Sequence, residues 1–263
     1  MPQAVAADGT RIAYDVAGSG PLLLFVHGIT ENRSVWDPVV ERLQGDFTCA
    51  GLDVRGHGDS DAPGDYDALT MAGDLAAAAD AVGATDEPVI VGHSFGAFLA
   101  TAYAAGGAGP VRGVVNVDQG LRMSDLAQLV RPLEAALRGP QFRETFGAII
   151  DSLGPELLDP DTQARLARLH EDASQDLVVG IWRQLFESTD EEIDALVETM
   201  LLPNLRVPYL ALHGSEPGDD YRDWLTRLVP TATVEVWDGD GHWLHLVEPD
   251  RFAARVRDFV AKI

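Results

Sequence analysis

The sequence predicts an α/β fold: a mostly parallel sheet with helices on both faces, interrupted by one long helical insert. Three observations predict it. Short, continuous apolar runs alternate with stretches of helical spacing. The runs open into loops rich in glycine, histidine and aspartate. The alternation stops between residues 122 and 205, where apolar residues recur only at helical spacing. Strands covered on both faces read as unbroken apolar runs, the pattern of a parallel sheet between helix layers.

Taken in order, Leu22–Val26 runs into His27-Gly28, and Phe47–Val54 runs into Arg55-Gly56-His57-Gly58. Helical spacing follows over Met71–Val82. Val89–Val91 ends in Gly92 and is followed by helical spacing over Phe95–Ala105. Val114–Val117 ends in Asp118. The insert then carries Leu126, Leu129, Val130, Leu133 and Leu137, and later Leu177, Val178, Ile181, Trp182, Leu185 and Phe186, all at helical spacing. A single crossover needs only ~10–15 residues, so this stretch is read as a cap over the sheet edge rather than a connection. Pro208–Leu212 ends in His213-Gly214, Tyr221–Leu228 is helical, Thr233–Trp237 ends in Asp238-Gly239, and Pro249–Lys262 closes the chain as a helix. Right-handed crossovers place the carboxyl ends of parallel strands on one edge, where ligand chemistry collects.

Composition narrows the partners. The 263 residues carry 42 acidic and 19 basic side chains, a formal net charge of −23, which repels phosphate backbones and anionic bilayers. Neither nucleic acid nor membrane is expected as a partner. With 46% hydrophobic and 23% charged residues, the chain reads as an ordinary globule with room for a sizeable core. The single cysteine, Cys49, excludes an intrachain disulfide and a cysteine-built metal cluster. The N-terminus has neither a basic start nor an apolar leader run, and no stretch approaches ~18 apolar residues. A cytoplasmic protein, monomeric or homodimeric, is expected.

The strongest chemical signal is Gly92-His93-Ser94-Phe95-Gly96, set between a strand and a helix. Such a turn is tight enough to need glycine two residues on either side of the serine, and it lifts the hydroxyl above the sheet at a helix N-terminus. The competing reading is a plain glycine-rich turn. A serine hydroxyl needs an adjacent base. His242, in Gly241-His242-Trp243, lies on the loop after the last predicted strand and so overhangs the same edge. The other histidines are His27, His57, His93, His170, His213 and His245. Those at strand ends are equally compatible with tying down a loop.

His27-Gly28-Ile29, Asp53-Val54-Arg55-Gly56-His57-Gly58-Asp59-Ser60, the turn at Ser94 and Gly241-His242 occur in this order. In this the chain resembles the α/β-hydrolase superfamily over nearly its full length. The resemblance implies an α/β-hydrolase fold, with an eight-stranded, mostly parallel sheet and a helical cap inserted after strand 6. Residues 1–121 and 206–263 would form the core and 122–205 the cap. It implies a Ser94 nucleophile, a His242 base, and an oxyanion hole made by the backbone N–H groups of Ile29 and Phe95. Two convergent backbone donors are what a tetrahedral oxyanion requires. The Asp53–Ser60 stretch resembles a structural turn of the family and is assigned no catalysis.

The acid departs from the commonest family pattern. Relatives place it three residues beyond the glycine of the strand ending His213-Gly214; that position here is Pro217, which has no carboxylate. Glu216 is one residue early, and Asp219 and Asp220 come later, where a helix begins; the family's alternative placement is one strand earlier, where Asp118 stands. Asp118 is favoured because it faces the active edge and keeps the order serine, acid, histidine; its competing role is a turn residue before Gln119-Gly120.

The implied activity is that of a serine hydrolase, a carboxylesterase or lactonase needing no metal or organic cofactor. A serine at position 94, not an aspartate, argues against alkyl-halide and epoxide chemistry. Phe142, Phe146, Ile149, Trp182 and Phe186 of the cap, with Trp36 and Phe98, are expected around a substrate pocket, although any one of them could instead be packing core. A small, uncharged, partly hydrophobic ester is the expected substrate. A lactone, opened as by zearalenone-type lactonases, is second. Carbon–carbon hydrolysis, perhydrolysis and a non-catalytic ligand receptor are the remaining readings.

Overall fold

The structure, a computed structural model, describes residues 1–83 and 86–263. Eight strands form one sheet in the order β1-β2-β4-β3-β5-β6-β7-β8. They are β1 (Gln3–Val5), β2 (Arg11–Gly18), β3 (Leu22–Val26), β4 (Thr48–Leu52), β5 (Val89–His93), β6 (Gly113–Val117), β7 (Tyr209–His213) and β8 (Ala232–Val236). β2 pairs antiparallel with both β1 and β4, and every other pairing is parallel. The six parallel strands are those read as apolar runs. The two antiparallel ones are not continuous runs and escaped that test.

Every residue of β3, β5, β6 and β7 is buried, because helices cover both faces. Outside the insert the helices are α1 (Asp37–Leu43), α2 (Ala68–Val82), α3 (Phe95–Gly106), α11 (Tyr221–Leu228), α12 (Leu244–Val247) and α13 (Pro249–Val260). α2 starts where the Asp67 carboxylate accepts the N–H groups of Leu69 and Thr70, and stops at Gly83 in the left-handed conformation. Between β6 and β7 the chain is helical: α4 (Met123–Val130), α5 (Glu134–Leu137), α6 (Phe142–Asp151), α7 (Pro160–Glu171), α8 (Gln175–Ile181), α9 (Arg183–Glu187) and α10 (Asp190–Ala195), then a π-helical turn over Leu196–Leu201. Among the described residues no helix is long and apolar enough to cross a membrane.

The turn between β5 and α3 packs directly against the end of β3. A Cβ on Gly96 would stand 2.3 Å from the Val26 carbonyl oxygen and 2.4 Å from that of His27. Both obstacles are backbone, at the end of β3 and the residue after it, and cannot swing aside. Gly96→Ala is therefore expected to cost about 3 kcal/mol, read as a lowered urea midpoint at unchanged m-value.

Candidate active site

The turn imposes its conformation on Ser94, which has φ 50° and ψ −124°. Non-glycine residues rarely hold a positive φ, and the surrounding packing over-determines it here. Ser94 immediately precedes α3, so the helix's positive end faces the hydroxyl. Phe95 is the first residue of that helix, and its N–H has no intrahelical acceptor. Ile29 lies on the loop after β3, and its N–H takes no acceptor among the described residues.

Asp118 immediately follows β6, also with positive φ (55°). Its Oδ2 lies 2.7 Å from His242 Nδ1, while Oδ1 accepts the Gly214 N–H at 2.9 Å. Burial raises the Asp118 carboxyl, but the His242 hydrogen bond and its charge outweigh burial and hold it below the usual carboxylate range. Glu216 is exposed and takes no part in the hydrogen bonds among the described residues. Ser94, Asp118 and His242 line one cavity, together with Ile29 and Phe95. Ser94 makes no hydrogen bond to His242 among the described residues; with Nδ1 committed to Asp118, Nε2 is the ring nitrogen left for the cavity. Catalytic hydrogen bonds are often formed only once substrate is bound.

The cavity holds about 420 Å³ between the carboxyl edge of the sheet and the helical insert. Phe146, Ile149 and Trp182 of the insert are on its wall, with Phe98 of α3. Three pocket residues expected from sequence lie elsewhere. Trp36 is wholly buried in the core, its ring 5.1 Å from Phe25 and 4.5 Å from His245. Phe142 stacks on the far side of Phe146 at 5.6 Å and lines a neighbouring hollow instead. Phe186 is buried in the insert's own core beneath the Arg138 guanidinium. Helical spacing marks a buried face but not whether that face meets a cavity or another helix.

The remaining histidines sort by their hydrogen bonds. His27 donates from Nδ1 to the Gly28 carbonyl and accepts the Val54 N–H at Nε2. His57 accepts the Thr30 N–H at Nε2, and its Nδ1 faces the Val54 and Arg55 carbonyls. Each therefore has one donor and one acceptor nitrogen, the neutral imidazole. Both tie loops together around the Asp53 turn, where Asp53 accepts the Arg33 and Asp59 N–H groups and pairs with the Arg33 guanidinium. Burial pushes His27 down to about 4 and His57 to about 3. His170, His213 and His245 are also lowered, burial again being the largest cause.

This has a consequence for stability. A histidine lowered in the folded state stays neutral there while the unfolded chain protonates near ~6.5. The unfolded state then binds more protons, so stability falls with pH below ~6.5 until the folded groups themselves titrate. His27 and His57 are each expected to remove up to about 1.4 kcal/mol per pH unit across this window. Urea midpoints should therefore drop steadily from pH 6.5 to 5, above the range in which the carboxylates of the unfolded chain titrate.

Two features were not legible in the sequence. Glu31, two residues beyond Ile29, is buried and accepts the Gly28 N–H, His93 Nδ1 and Trp243 Nε1. His170 of α7 bonds the Thr30 hydroxyl at 2.7 Å, linking the insert to the Ile29 loop. Their partners lie on distant segments, and no local spacing announces them.

A serine raised on a strand–turn–helix corner, with a histidine–aspartate pair on neighbouring loops of the same parallel edge, defines the class of α/β hydrolases. The chain belongs to the alpha/beta hydrolase family, whose model matches residues 23–255. It is 31% identical over 252 residues to the 2-(acetamidomethylene)succinate hydrolase of Mesorhizobium japonicum, covering 92% of this chain and 89% of that one. It is 28% identical to the pimeloyl-[acyl-carrier protein] methyl ester esterase of Vibrio parahaemolyticus, over 95% and 98% of the two chains. A thermophilic esterase from Thermogutta terrifontis superposes with a TM-score of 0.78 at 24% identity, over 99% of this chain and 98% of that one, a likeness of fold. Family and relatives together place the protein among the hydrolases.

Proposed function

We propose that the protein is a serine hydrolase that cleaves a carboxylic ester of a small, uncharged, partly hydrophobic substrate through an acyl-enzyme. The reading is carried by the 2.7 Å Asp118–His242 contact opening on a cavity that Ser94 also lines. His242 Nε2 takes the Ser94 proton as Oγ attacks the carbonyl carbon. Asp118 holds the Nδ1–H tautomer and stabilises the imidazolium that forms. The Ile29 and Phe95 N–H groups receive the oxyanion. His242 returns the proton to the leaving alcohol, then draws one from the water that releases the acid. Residues 122–205 act as a cap that sets which acyl groups enter, with Phe146, Ile149 and Trp182 giving the cavity an apolar wall. Opening a lactone ring would use the same groups without change.

A second reading is hydrolysis of an amide that carries a carboxylate. It is favoured by the name of the 31% identical relative, an acetamido-substituted succinate hydrolase, and by Arg183 on the cavity wall outside every ion pair among the described residues. Asp67, Asp125 and Glu192 on the same wall favour the uncharged ester.

Incubation with a fluorophosphonate followed by intact-mass measurement tests the serine chemistry: one adduct, on Ser94, is expected. The absence of an adduct in folded protein would return the chain to the receptor reading. Rates on p-nitrophenyl esters of graded length, macrolactones and carboxylate-bearing amides then separate the substrates. A cavity of this size should favour short acyl chains, with a sharp fall as the chain lengthens.

A further inference from the structure

Behind the cavity, one histidine is held unlike the others. His93, the residue before Ser94, is fully buried at the end of β5. Its Nδ1 lies 3.2 Å from Glu31 Oε2, and its Nε2 lies 3.0 Å from the main-chain carbonyl oxygen of His242. A carboxylate and a carbonyl both only accept, so each ring nitrogen must bring a proton. His27 and His57 each have one donor and one acceptor nitrogen; His93 has two donors. Glu31 completes the arrangement. Its Oε2 also accepts the Gly28 N–H at 2.8 Å, and its Oε1 accepts Trp243 Nε1 at 2.8 Å. Three donors around one buried carboxylate stabilise its charged form.

We infer that both ring nitrogens of His93 carry protons, one donated to Glu31 and one to the His242 carbonyl, and that His93 serves as a positioning residue which fixes the His242 loop. The pair joins three segments: the loop after β3 that carries Ile29, the strand that delivers Ser94, and the loop that carries His242 and Trp243. Among the described residues, the only other main-chain bond on His242 is a long one, its N–H to the Leu153 carbonyl at 3.4 Å. The main chain of the proposed base is therefore held chiefly by His93, while Asp118 holds its ring. A buried ion pair contributes little to stability against an apolar replacement, and fixing a registry is its best-attested use. The groups facing His93 are Glu31 from the loop after β3, and His242, Trp243 and His245 from the segment after β8.

The positioning role rests on the hydrolase reading; the protonation state does not. Nitrogen-15 spectra of the seven histidine side chains at pH 8, with the His93 signals assigned by their loss in His93→Gln, read it directly. Free imidazole is neutral at that pH. Two protonated nitrogens on His93 are expected in the wild type, and an unprotonated Nδ1 in Glu31→Gln. An unprotonated Nδ1 in folded wild-type protein, with the proton on Glu31 instead, would overturn the inference even if Ser94 takes the fluorophosphonate. Glu31→Gln should also lower kcat by about 10²-fold on whichever ester proves active, with KM within twofold, because the base is displaced while the cavity is kept. An unchanged kcat would equally overturn the positioning role. Should Glu31→Gln fail to fold, the wild-type spectrum alone decides the protonation state.

Discussion

Ser94→Ala is expected to lower kcat by about 10⁶-fold and to abolish the fluorophosphonate adduct, while leaving the melting temperature close to that of the wild type. The large loss follows from the proposed roles acting as a unit: without the hydroxyl, His242 and Asp118 would have no nucleophile to serve. What remains should be the modest acceleration provided by two backbone donors and a dry cavity. Alanine suits the stability arm because Ser94 is only half-buried and caps no helix N–H with its side chain. Retention of more than about one part in 10³ of the activity would mean that the chemistry passes through another group.

The second large effect concerns the acid. Asp118→Asn is expected to lower kcat by about 10⁴-fold, and Glu216→Gln to leave it within twofold. The Gly214 N–H anchors Oδ1 of residue 118, so an asparagine would keep its oxygen there and turn its amide nitrogen toward His242 Nδ1. A donor facing Nδ1 selects the tautomer with the proton on Nε2, which cannot accept from Ser94. Steady-state kinetics on both variants decide between the two carboxylates. A crippled Glu216→Gln beside a mild Asp118→Asn would move the acid to the β7 side.

The sheet and the loops that carry its chemistry could be read from the chain because their causes are local. An unbroken apolar run such as Leu22–Val26 records burial on both faces, and glycine at 92 and 96 records a turn where a Cβ would strike backbone. Asp118 could be proposed because the motif order left few positions for an acid, and Pro217 removed the commonest one. The hairpin-like β1 and β2 were not legible as continuous runs, and the aromatic residues of the insert could not be divided between wall and core. Phe146 and Phe142 have the same spacing and chemistry, yet only Phe146 reaches the cavity above Ser94. The Glu31–His93 pair was equally hidden, because it exists only through the approach of segments far apart in sequence.

The helical stretch leaves the sheet from β6 and returns on its immediate neighbour β7, so its two ends are fastened one strand spacing apart. Asp118 stands just before the departure and His242 well after the return. Exchanging the stretch as a cassette, transplanted from a relative or rebuilt at another length, is therefore expected to leave the strand ends beside Ser94 and Asp118 in place, while the His242 loop loses its Leu153 contact. The joint to watch in such a graft is His170, since a replacement lacking it would free the Thr30 hydroxyl and slacken the loop on which Ile29 sits.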